Sequence, residues 1–382
     1  MNKRTLAVIA LLVLATLAIA WWIFSSRNAG PTSFRFGAVL PLSGDIAEYG
    51  KRCKTGMDLA IQEVNRHGGI DGIPVTIIYE DSRGNPKDGV SAINKLISID
   101  GVKYVVGAVA SSVTLALEPI ATRNKVILFS PASSSPKLTG ISPFFFRDWP
   151  SDLLEATALA KFVRDELNLR TVAILYVNND YGLGLRDEFT RRFKQLGGSI
   201  PASEAYEQGA SDLRTQLVKI KGVRPEAVYL AGYHREMAQT TKQMRELGID
   251  TQILGDADYG VDELLKIAGS AAEGAIYSIP EYEPERGSEA ARSFLSVFRE
   301  TYGANPTIFE ANGYDAVTIL AEAINAVGDD TEKVSGFIAS IKDYEGVSGR
   351  ISFDERREVF KPVTIKVVRS GRFVDYSAAK LD

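Results

Sequence analysis

The stretch FGAVLPLSGDIAEYG (residues 36–50) carries the clearest signal of the fold of this chain. It begins as a short apolar run that breaks at Pro41 into a polar loop, and an amphipathic segment ending at Gly68 follows directly. A strand that leads through a polar loop into a helix is typical of α/β domains, which hold ligands at the carboxyl ends of their strands. Similar transitions recur at Ser111 and around Tyr181, so the three together predict one ligand-binding cleft.

Length and composition limit the class of protein. A chain of 382 residues exceeds one ordinary hydrophobic core, so two domains are expected. A hydrophobic content of 45% with 24% charged residues is typical of a globular protein. The net charge of −4 and the lack of any basic stripe argue against nucleic acid as a partner.

Metal and cofactor sites find little support in the sequence. The single cysteine, Cys53, excludes an intrachain disulfide and a cysteine-based zinc site, and only His67 and His234 are available for a histidine cluster. Reading Asp256 and Asp258 as a calcium loop fails because the next ligand and the glycine fall out of register. We therefore predict no metal and no cofactor.

Enzymatic function is also disfavoured. The sequence contains no G-x-S-x-G elbow and no Walker loop, and the run GLGLRD lacks the third glycine of a dinucleotide fingerprint. Both histidines fall in segments that we interpret as surface helices or loops, and Cys53 is interpreted as a packed small residue. The sequence therefore predicts a protein that is not an enzyme.

The N-terminal residues 1–30 form a separate unit, predicted to be a signal peptide or a membrane anchor. Lys3 and Arg4 are basic, and residues 6–24 carry no charge over a length that reaches the ~17–25 residues needed to span a bilayer. Residues 18–20 (AIA) offer a signal-cleavage site, whereas the following WWIF favours an uncleaved anchor. Either alternative places the remainder outside the cytoplasm.

The rest of the chain alternates apolar runs with helical periodicity, which predicts parallel sheets covered by helices on both faces. The predicted strands are 34–40, 75–79, 102–109, 126–129, 172–177, 227–230, 252–254 and 275–279, followed by a β-rich segment at 351–376. The main predicted helices are 57–64, 90–97, 113–122, 153–167, 183–196, 213–220, 237–247, 261–267, 290–302, 312–327 and 332–341. The rhythm pauses at 144–150 and 280–286, which indicates two α/β units.

Several motifs in order give this chain a resemblance to a known family. They are PLSGDIAEYG (41–50), NRHGGIDG (65–72), YEDSRGNP (79–86), VGAVASSVT (106–114), FSPASSSPKLT (129–139), NNDYGLG (178–184), AEG (272–274), NGYDAV (312–317) and GVSGRISFDE (346–355). In this order and spacing, they resemble the periplasmic binding proteins for leucine, isoleucine and valine, which are type I solute-binding proteins of ABC transporters. The resemblance covers residues 34–382.

This resemblance implies an α/β fold of two flavodoxin-like, doubly wound lobes joined by a three-segment hinge, with the ligand between them. The first lobe is expected to comprise residues 34–147 and 282–350, and the second residues 148–281 and 351–382. The pauses in the pattern match the first two crossings, whereas the third follows from the resemblance alone.

Candidate ligand-binding residues are predicted on both lobes. Ser111 and Ser112 follow a strand and begin a helix, so they offer hydroxyl and N–H donors to a carboxylate, although helix capping is an alternative role for them. The resemblance assigns carboxylate binding to Ser111 and ligand contacts to Ala132 and Ser134.

The resemblance also assigns cleft aromatic residues, which are Tyr49, Tyr181 and Tyr233, with Tyr181 expected in a loop. The family pairs an acidic side chain with the ligand ammonium, but this chain has Ala257 at that position, between Asp256 and Asp258. Either aspartate is a candidate replacement, because a charge-assisted hydrogen bond suits an ammonium. The alternative is a carboxylate, amide or aromatic acid without an ammonium.

The sequence thus predicts an extracytoplasmic binding protein that captures a small amino acid, or a related carboxylate or amide, and delivers it to an ABC-type permease. A ligand-sensing receptor of the same fold is the alternative. A tether through residues 6–24 fits both readings.

Overall fold

The computed structural model describes residues 33–379 together with residue 16. The predicted signal peptide or anchor in residues 1–30 lies, apart from residue 16, outside the described residues. Among the residues that are described, no helix combines the length and apolar character that crossing a membrane requires.

The strands form two main sheets and one hairpin. They are β1 (Phe34–Leu40), β2 (Val75–Asp81), β3 (Tyr104–Gly107), β4 (Ile127–Ser130), β5 (Phe145–Arg147), β6 (Val172–Val177), β7 (Ser203–Tyr206), β8 (Ala227–Ala231), β9 (Gln252–Gly255), β10 (Ile276–Pro280), β11 (Tyr344–Gly346), β12 (Gly349–Ile351), β13 (Val363–Arg369) and β14 (Arg372–Asp375). β11 and β12 form the hairpin.

The first sheet has the order β2-β1-β3-β4-β5 and is parallel throughout. The second has the order β14-β13-β10-β9-β8-β6-β7, parallel from β10 to β7 and antiparallel at β13 and β14. Each sheet therefore has a doubly wound order whose direction reverses beside its first strand, at β1 and at β6. Such a reversal leaves a crevice at the carboxyl ends of the strands, where ligands bind.

Helices cover the sheets. They are α1 (Ala47–Arg66), α2 (Pro86–Ser98), α3 (Ser111–Arg123), α4 (Asp152–Asp165), α5 (Asp180–Gln195), α6 (Arg214–Val223), α7 (His234–Glu246), α8 (Asp262–Ala268), α9 (Glu289–Tyr302), α10 (Ile308–Val327), α11 (Thr331–Ser340) and α12 (Tyr376–Ala379). Because helices cover them, β3, β4, β6 and β8 are buried along their whole length, as expected of parallel strands with two covered faces.

Close packing of α1 against α10 brings distant parts of the chain together. A Cβ atom added at Gly56 would lie 1.8 Å from the carbonyl oxygen of Glu310, and one at Gly313 would lie 2.4 Å from that of Cys53. The two glycines therefore permit a backbone approach that any side chain would prevent. Cys53 is fully buried in this contact, in agreement with its interpretation as a packing residue.

The alternation of strands and helices predicted from the sequence is confirmed, and so is the two-sheet α/β fold. The predictions missed four short strands, β5, β7, β11 and β12, and placed the start of α10 at Asn312 instead of Ile308. The earlier start follows from a capping box, in which the side chains of Thr307 and Glu310 each bond to the other's backbone N–H.

The chain passes between the two sheets three times, and buried ion pairs connect the first passage to the third. Arg147 Nη2 lies 2.6 Å from Glu358 Oε2, and Lys361 Nζ lies 2.8 Å from Asp148 Oδ1. Arg147, Asp148 and Lys361 are at most 2% exposed. We call these four residues the hinge cluster. Its two cations are each matched by a carboxylate.

Candidate ligand-binding site

A cavity of about 30 Å³ lies where the carboxyl ends of the two sheets face each other. It is lined by Tyr49, Val109, Ala110, Ser111, Ala132, Ser134, Trp149, Tyr181, Tyr233, Asp258 and Phe309. The strands that precede these residues are β1, β3, β4 and β5 in the first sheet and β6, β8 and β9 in the second. Both sheets thus contribute the edge at which a doubly wound fold binds ligands.

The structure brings seven of the nine predicted residues together around this cavity. They are Tyr49, Ser111, Ala132, Ser134, Tyr181, Tyr233 and Asp258. Ser112 and Asp256 do not line it. The ligand contacts of all nine remain a prediction.

Two other clefts are far larger, at about 630 and 660 Å³, and a third cavity of about 180 Å³ adjoins the candidate cavity. The first lies among α1, α9 and α10, and the second lies beside the hinge cluster. Neither draws side chains from the carboxyl ends of both sheets, so the smaller cavity is the better candidate.

Ser111 stands at the polar end of the cavity. It is the first residue of α3, but the N-cap is Ala110 and no side chain caps the helix, so the capping role considered for Ser111 is wrong. Its hydroxyl oxygen instead accepts hydrogen bonds from the N–H groups of Ser134 and Ser135, at 3.3 and 3.1 Å. Because both lone pairs are occupied, the remaining capacity of this hydroxyl is to donate its hydrogen.

Hydrogen bonds of neighbouring serine side chains hold the loop that carries Ser134. Ser130 Oγ donates to the carbonyl oxygen of Ala108 at 2.7 Å, and Ser133 Oγ donates to that of Val109 at 2.9 Å. Ser133 also shares a hydrogen bond of 2.6 Å with Thr114 in α3. The polar end is therefore fixed in place beside the N-terminus of α3, whose partial positive charge favours an anion.

Five aromatic side chains form a continuous belt around the cavity, and we call them the aromatic belt. Successive ring centroids are 5.5 Å apart for Tyr181 and Tyr233, 6.2 Å for Tyr233 and Tyr49, 5.1 Å for Tyr49 and Phe309, and 5.0 Å for Phe309 and Trp149. All five are less than 9% exposed. The belt excludes water and provides an apolar surface for a ligand side chain.

Asp258 supplies the charge in the wall contributed by the second sheet. It is 6% exposed and belongs to a group of buried carboxylates with Asp152, Glu155 and Asp256, which we call the acidic cluster. Burial, followed by the charge of Glu155, raises the pKa of Asp258 above its ordinary value, and hydrogen bonds from Tyr49 and Tyr181 oppose this shift. Among the described residues, no Lys, Arg or His forms an ion pair with any of the four carboxylates.

The neighbouring Asp256 has a structural role in this arrangement. Its Oδ1 accepts from the N–H of Asp258 at 2.9 Å, and its Oδ2 accepts from the N–H of Gly232 at 2.7 Å. Asp256 thereby caps the short helical turn Ala257–Gly260 and orients it. Of the two aspartates considered for an ammonium, only Asp258 lines the cavity.

His234 joins the two halves of the cavity wall, and its interpretation as a surface residue is wrong. It is fully buried, and its backbone N–H donates to Tyr49 Oη at 3.1 Å. Its Nδ1 forms a second hydrogen bond with the same hydroxyl, at 2.8 Å. Burial, followed by the charge of Arg235, lowers the pKa of His234 to about 4, so the ring is neutral at pH 7.

Tyr181 also differs from its prediction, because it lies in the first turn of α5 rather than in a loop. Asn179 caps this helix, and its Oδ1 accepts from the N–H groups of Tyr181 and Gly182, both at 3.1 Å. The Asn179 amide also donates to Tyr233 Oη at 3.3 Å. One polar side chain thus holds two members of the aromatic belt.

The sequence predictions missed four residues of the cavity lining, which are Val109, Ala110, Trp149 and Phe309, and they missed His234 beside it. Trp149 lies in the pause at 144–150, whose crossing role was predicted without a role for its side chains. Phe309 precedes the predicted start of its helix. The capping signal of Thr307 and Glu310 could have placed Phe309 on the first turn of α10.

Comparison with known proteins places this arrangement in a family. The family model described as periplasmic binding protein matches residues 33–372. A leucine-, isoleucine-, valine-, threonine- and alanine-binding protein of Pseudomonas aeruginosa is 28% identical over 350 residues, which cover 90% of this chain and 91% of that protein.

Solved structures agree with that assignment. A leucine-binding protein from Thermotoga maritima is 30% identical, with a TM-score of 0.85 over 89% of this chain and 97% of that chain. A branched-chain amino acid transporter substrate-binding protein from Streptococcus pneumoniae, in complex with isoleucine, is 28% identical, with a TM-score of 0.82 over 90% of this chain and 99% of that chain. These relatives are named as binding proteins, and two lobes of this kind are the fold of type I members. The chain therefore belongs to the periplasmic binding protein family.

Proposed function

We propose that this chain captures a zwitterionic α-amino acid with an apolar side chain and delivers it to an ABC-type permease. One observation carries this proposal: a hydroxyl donor beside a helix N-terminus and a buried carboxylate that forms no ion pair with any described residue line the same cavity. The two groups complement the two charges of an amino acid.

The ligand carboxylate would bind at the polar end, where Ser111 donates its hydroxyl hydrogen and the N-terminus of α3 favours negative charge. Ser134 and the backbone at Ala132 adjoin the same position. Among the residues that the structure describes, no lysine or arginine lines the cavity. Hydrogen-bond donors and the helix dipole must therefore stabilise the anion.

The ligand ammonium would bind Asp258. A buried carboxylate is costly unless it is paired, and the acidic cluster contains four such groups without a cation partner among the described residues. A ligand that brings a positive charge compensates this cost, whereas a simple carboxylate would place an apolar group against Asp258. This reasoning favours an amino acid over an aromatic or aliphatic acid.

Closure between two lobes would enclose the ligand, because both sheets contribute to one cavity. We propose the bounds expected from the sequence, residues 34–147 with 282–350 and residues 148–281 with 351–382. The passages of the chain between the sheets at 147–152 and 280–289, and the packing of α1 on α10, support this division. Binding would shift the protein toward the closed form through contacts made to both lobes at once.

We propose that the protein works outside the cytoplasm by binding and release, without catalysis. The cavity holds no nucleophile with a neighbouring base, because His234 faces Tyr49 and not Ser111. Residues 6–24, if uncleaved, would keep the protein at the membrane beside its permease. The names of the relatives favour transport over sensing.

Isothermal titration calorimetry with L-leucine, L-valine, L-alanine and benzoate tests the proposed ligand class. We expect at least one amino acid to bind and benzoate to give no heat. Ser111→Ala should weaken binding of that amino acid by about 1–3 kcal/mol, because the carboxylate loses a donor. Ser91→Ala, at an exposed position of α2, is the matched control and should leave affinity unchanged. Binding of benzoate alone, or of none of these ligands, would contradict the proposal.

A further inference from the structure

A second cavity adjoins the first and shares one wall with it. It has a volume of about 180 Å³, roughly six times that of the first. Among the described residues that line the first cavity, only Phe309 also lines the second. Phe309 therefore separates the smaller first cavity from the larger second cavity.

On the side that faces the first cavity, the ring of Phe309 packs against two other aromatic rings. Its ring is stacked on Trp149 at 28° and inclined to Tyr49 at 52°. It is the second residue of α10 and is 5% exposed. The backbone of this residue is fixed by the capping box, so movement of the wall would be movement of the ring about its side-chain torsions.

The other walls of the first cavity are held by hydrogen bonds. Ser111 accepts two backbone N–H groups, Tyr49 is bonded to His234, and Tyr233 accepts from Asn179. Phe309 has no polar group with which to form such a bond. It is thus the member of the lining that combines an unbonded side chain with empty space behind it.

The second cavity suits an apolar ring. Its lining is largely apolar and aromatic and comprises Ala257, Gly260, Val261, Tyr277, Ile279, Pro280, Tyr282, Pro306, Thr307, Ile308, Phe309 and Phe373, with Arg52 and Lys366. Both cations already have partners, since Arg52 pairs with Glu48 and Glu310, and Lys366 pairs with Asp375. Moving a phenyl ring into this space leaves no unpaired charge.

Size favours such movement for larger ligands. A cavity of about 30 Å³ exceeds the roughly 10–15 Å³ that one water needs, but it offers little room beyond the charged groups of an amino acid. A side chain with several carbons needs additional volume, and close-packed walls do not yield it without displacement.

We propose that Phe309 is an adjustable wall whose ring moves into the second cavity when the amino acid side chain is larger than that of alanine. The site then accepts a graded range of α-amino acids, from alanine to leucine. This inference rests on the proposed function. In this proposal, the second cavity receives the Phe309 ring, so that the first cavity gains room for the ligand side chain.

Two variants that act in opposite directions test this proposal by calorimetry with L-alanine and L-leucine. Val261→Phe fills the second cavity, so leucine affinity should fall about tenfold while alanine affinity is unchanged. Phe309→Ala removes the wall, so the preference for leucine over alanine should rise about tenfold. Val218→Phe, at a position that is 57% exposed, is the control and should change neither affinity.

Thermal unfolding of each variant establishes that it is folded. Phe309→Leu is a milder substitution than Phe309→Ala and should change the leucine-to-alanine preference in the same direction. If the wild type binds these amino acids and neither Val261→Phe nor the Phe309 variants alter the leucine-to-alanine ratio, the adjustable wall is refuted. If the wild type binds L-valine but neither of these two amino acids, the adjustable wall is refuted and the proposed function stands. If it binds none of the three, the proposed function fails, and this inference fails with it.

Discussion

The hinge cluster and the acidic cluster both contain four charged side chains, nearly all fully buried, but they differ in how charge is balanced. In the hinge cluster, Arg147 is paired with Glu358 and Asp148 with Lys361. Lys361 also donates to Asn312 and Ser348, at 2.9 and 2.7 Å. Its charges are therefore compensated within the protein.

The acidic cluster forms no ion pair of this kind with any described residue. Asp152, Glu155, Asp256 and Asp258 are carboxylates, and burial raises the pKa of each. Their mutual repulsion adds to the cost of ionising them. The hinge cluster therefore stabilises the structure of the hinge. The acidic cluster, in contrast, leaves its carboxylates without the positive charge that a ligand can supply.

The largest expected effect comes from breaking the hinge cluster. Lys361→Met should lower the free energy of unfolding by about 3–5 kcal/mol, because it leaves Asp148 buried without its cation. Urea denaturation at pH 7 measures this change. Lys125→Met is the matched control, since its ion pair with Glu332 is exposed and is worth at most about 1 kcal/mol.

Equal losses in these two variants would show that the hinge pair contributes no more than a surface pair. The distinction between a compensated and an uncompensated cluster would then lose its energetic basis. A loss confined to Lys361→Met would support it.

The next effect concerns the acidic cluster and depends on pH. Burial raises the pKa of Asp152 to about 7, against hydrogen bonding from Ser134 and the charge of Arg147. Because the folded protein holds this proton more tightly than the unfolded chain, the resulting stability is present at about pH 4 and is lost as pH rises toward 7. Asp152→Asn should therefore be more stable than the wild type at pH 8, with an advantage that shrinks by about 1.4 kcal/mol per pH unit between pH 7 and 4.

Urea denaturation at several pH values, compared between variant and wild type, isolates this contribution. Asp165→Asn lies at an exposed position of the same helix and is the control. A difference between Asp152→Asn and wild type that stays constant with pH would mean that Asp152 is ionised in the folded protein throughout this range.

The smallest effect concerns the contact between Tyr49 and His234. Tyr49→Phe removes the hydroxyl that the backbone N–H and the Nδ1 atom of His234 contact, and it should weaken amino acid binding by about 1 kcal/mol, or roughly fivefold. Calorimetry measures the change. Tyr104→Phe is the matched control, because it removes a hydrogen bond to Asp329 far from the cavity. Equal changes in affinity in the two variants would remove Tyr49 from the site.

The fold could be predicted from sequence because its determinants are local. Apolar runs such as residues 34–40 and stops such as Gly68 mark strands and helices without reference to the rest of the chain. The strand β7, with the sequence SEAY, was missed because it contains no apolar run.

The site was predicted less completely because burial is decided by tertiary contacts. The helix α7 has the polar sequence HREMAQTTKQMRE, yet His234, Thr240 and Thr241 are buried in it. No periodicity indicates that His234 meets Tyr49, since the two are distant in sequence. The choice between Asp256 and Asp258 likewise depended on which carboxylate accepts hydrogen bonds from backbone N–H groups.

Recognition of the ligand ammonium by Asp258 is the central claim, and one calorimetric comparison tests it most directly. L-leucine and 4-methylpentanoate, which lacks only the amino group, are titrated into the wild type and into Asp258→Asn. We expect the variant to bind leucine about 100-fold more weakly, because a buried charge pair is broken, and to bind 4-methylpentanoate no worse than the wild type does. Unchanged leucine affinity, or equal losses for both ligands, would contradict the claim.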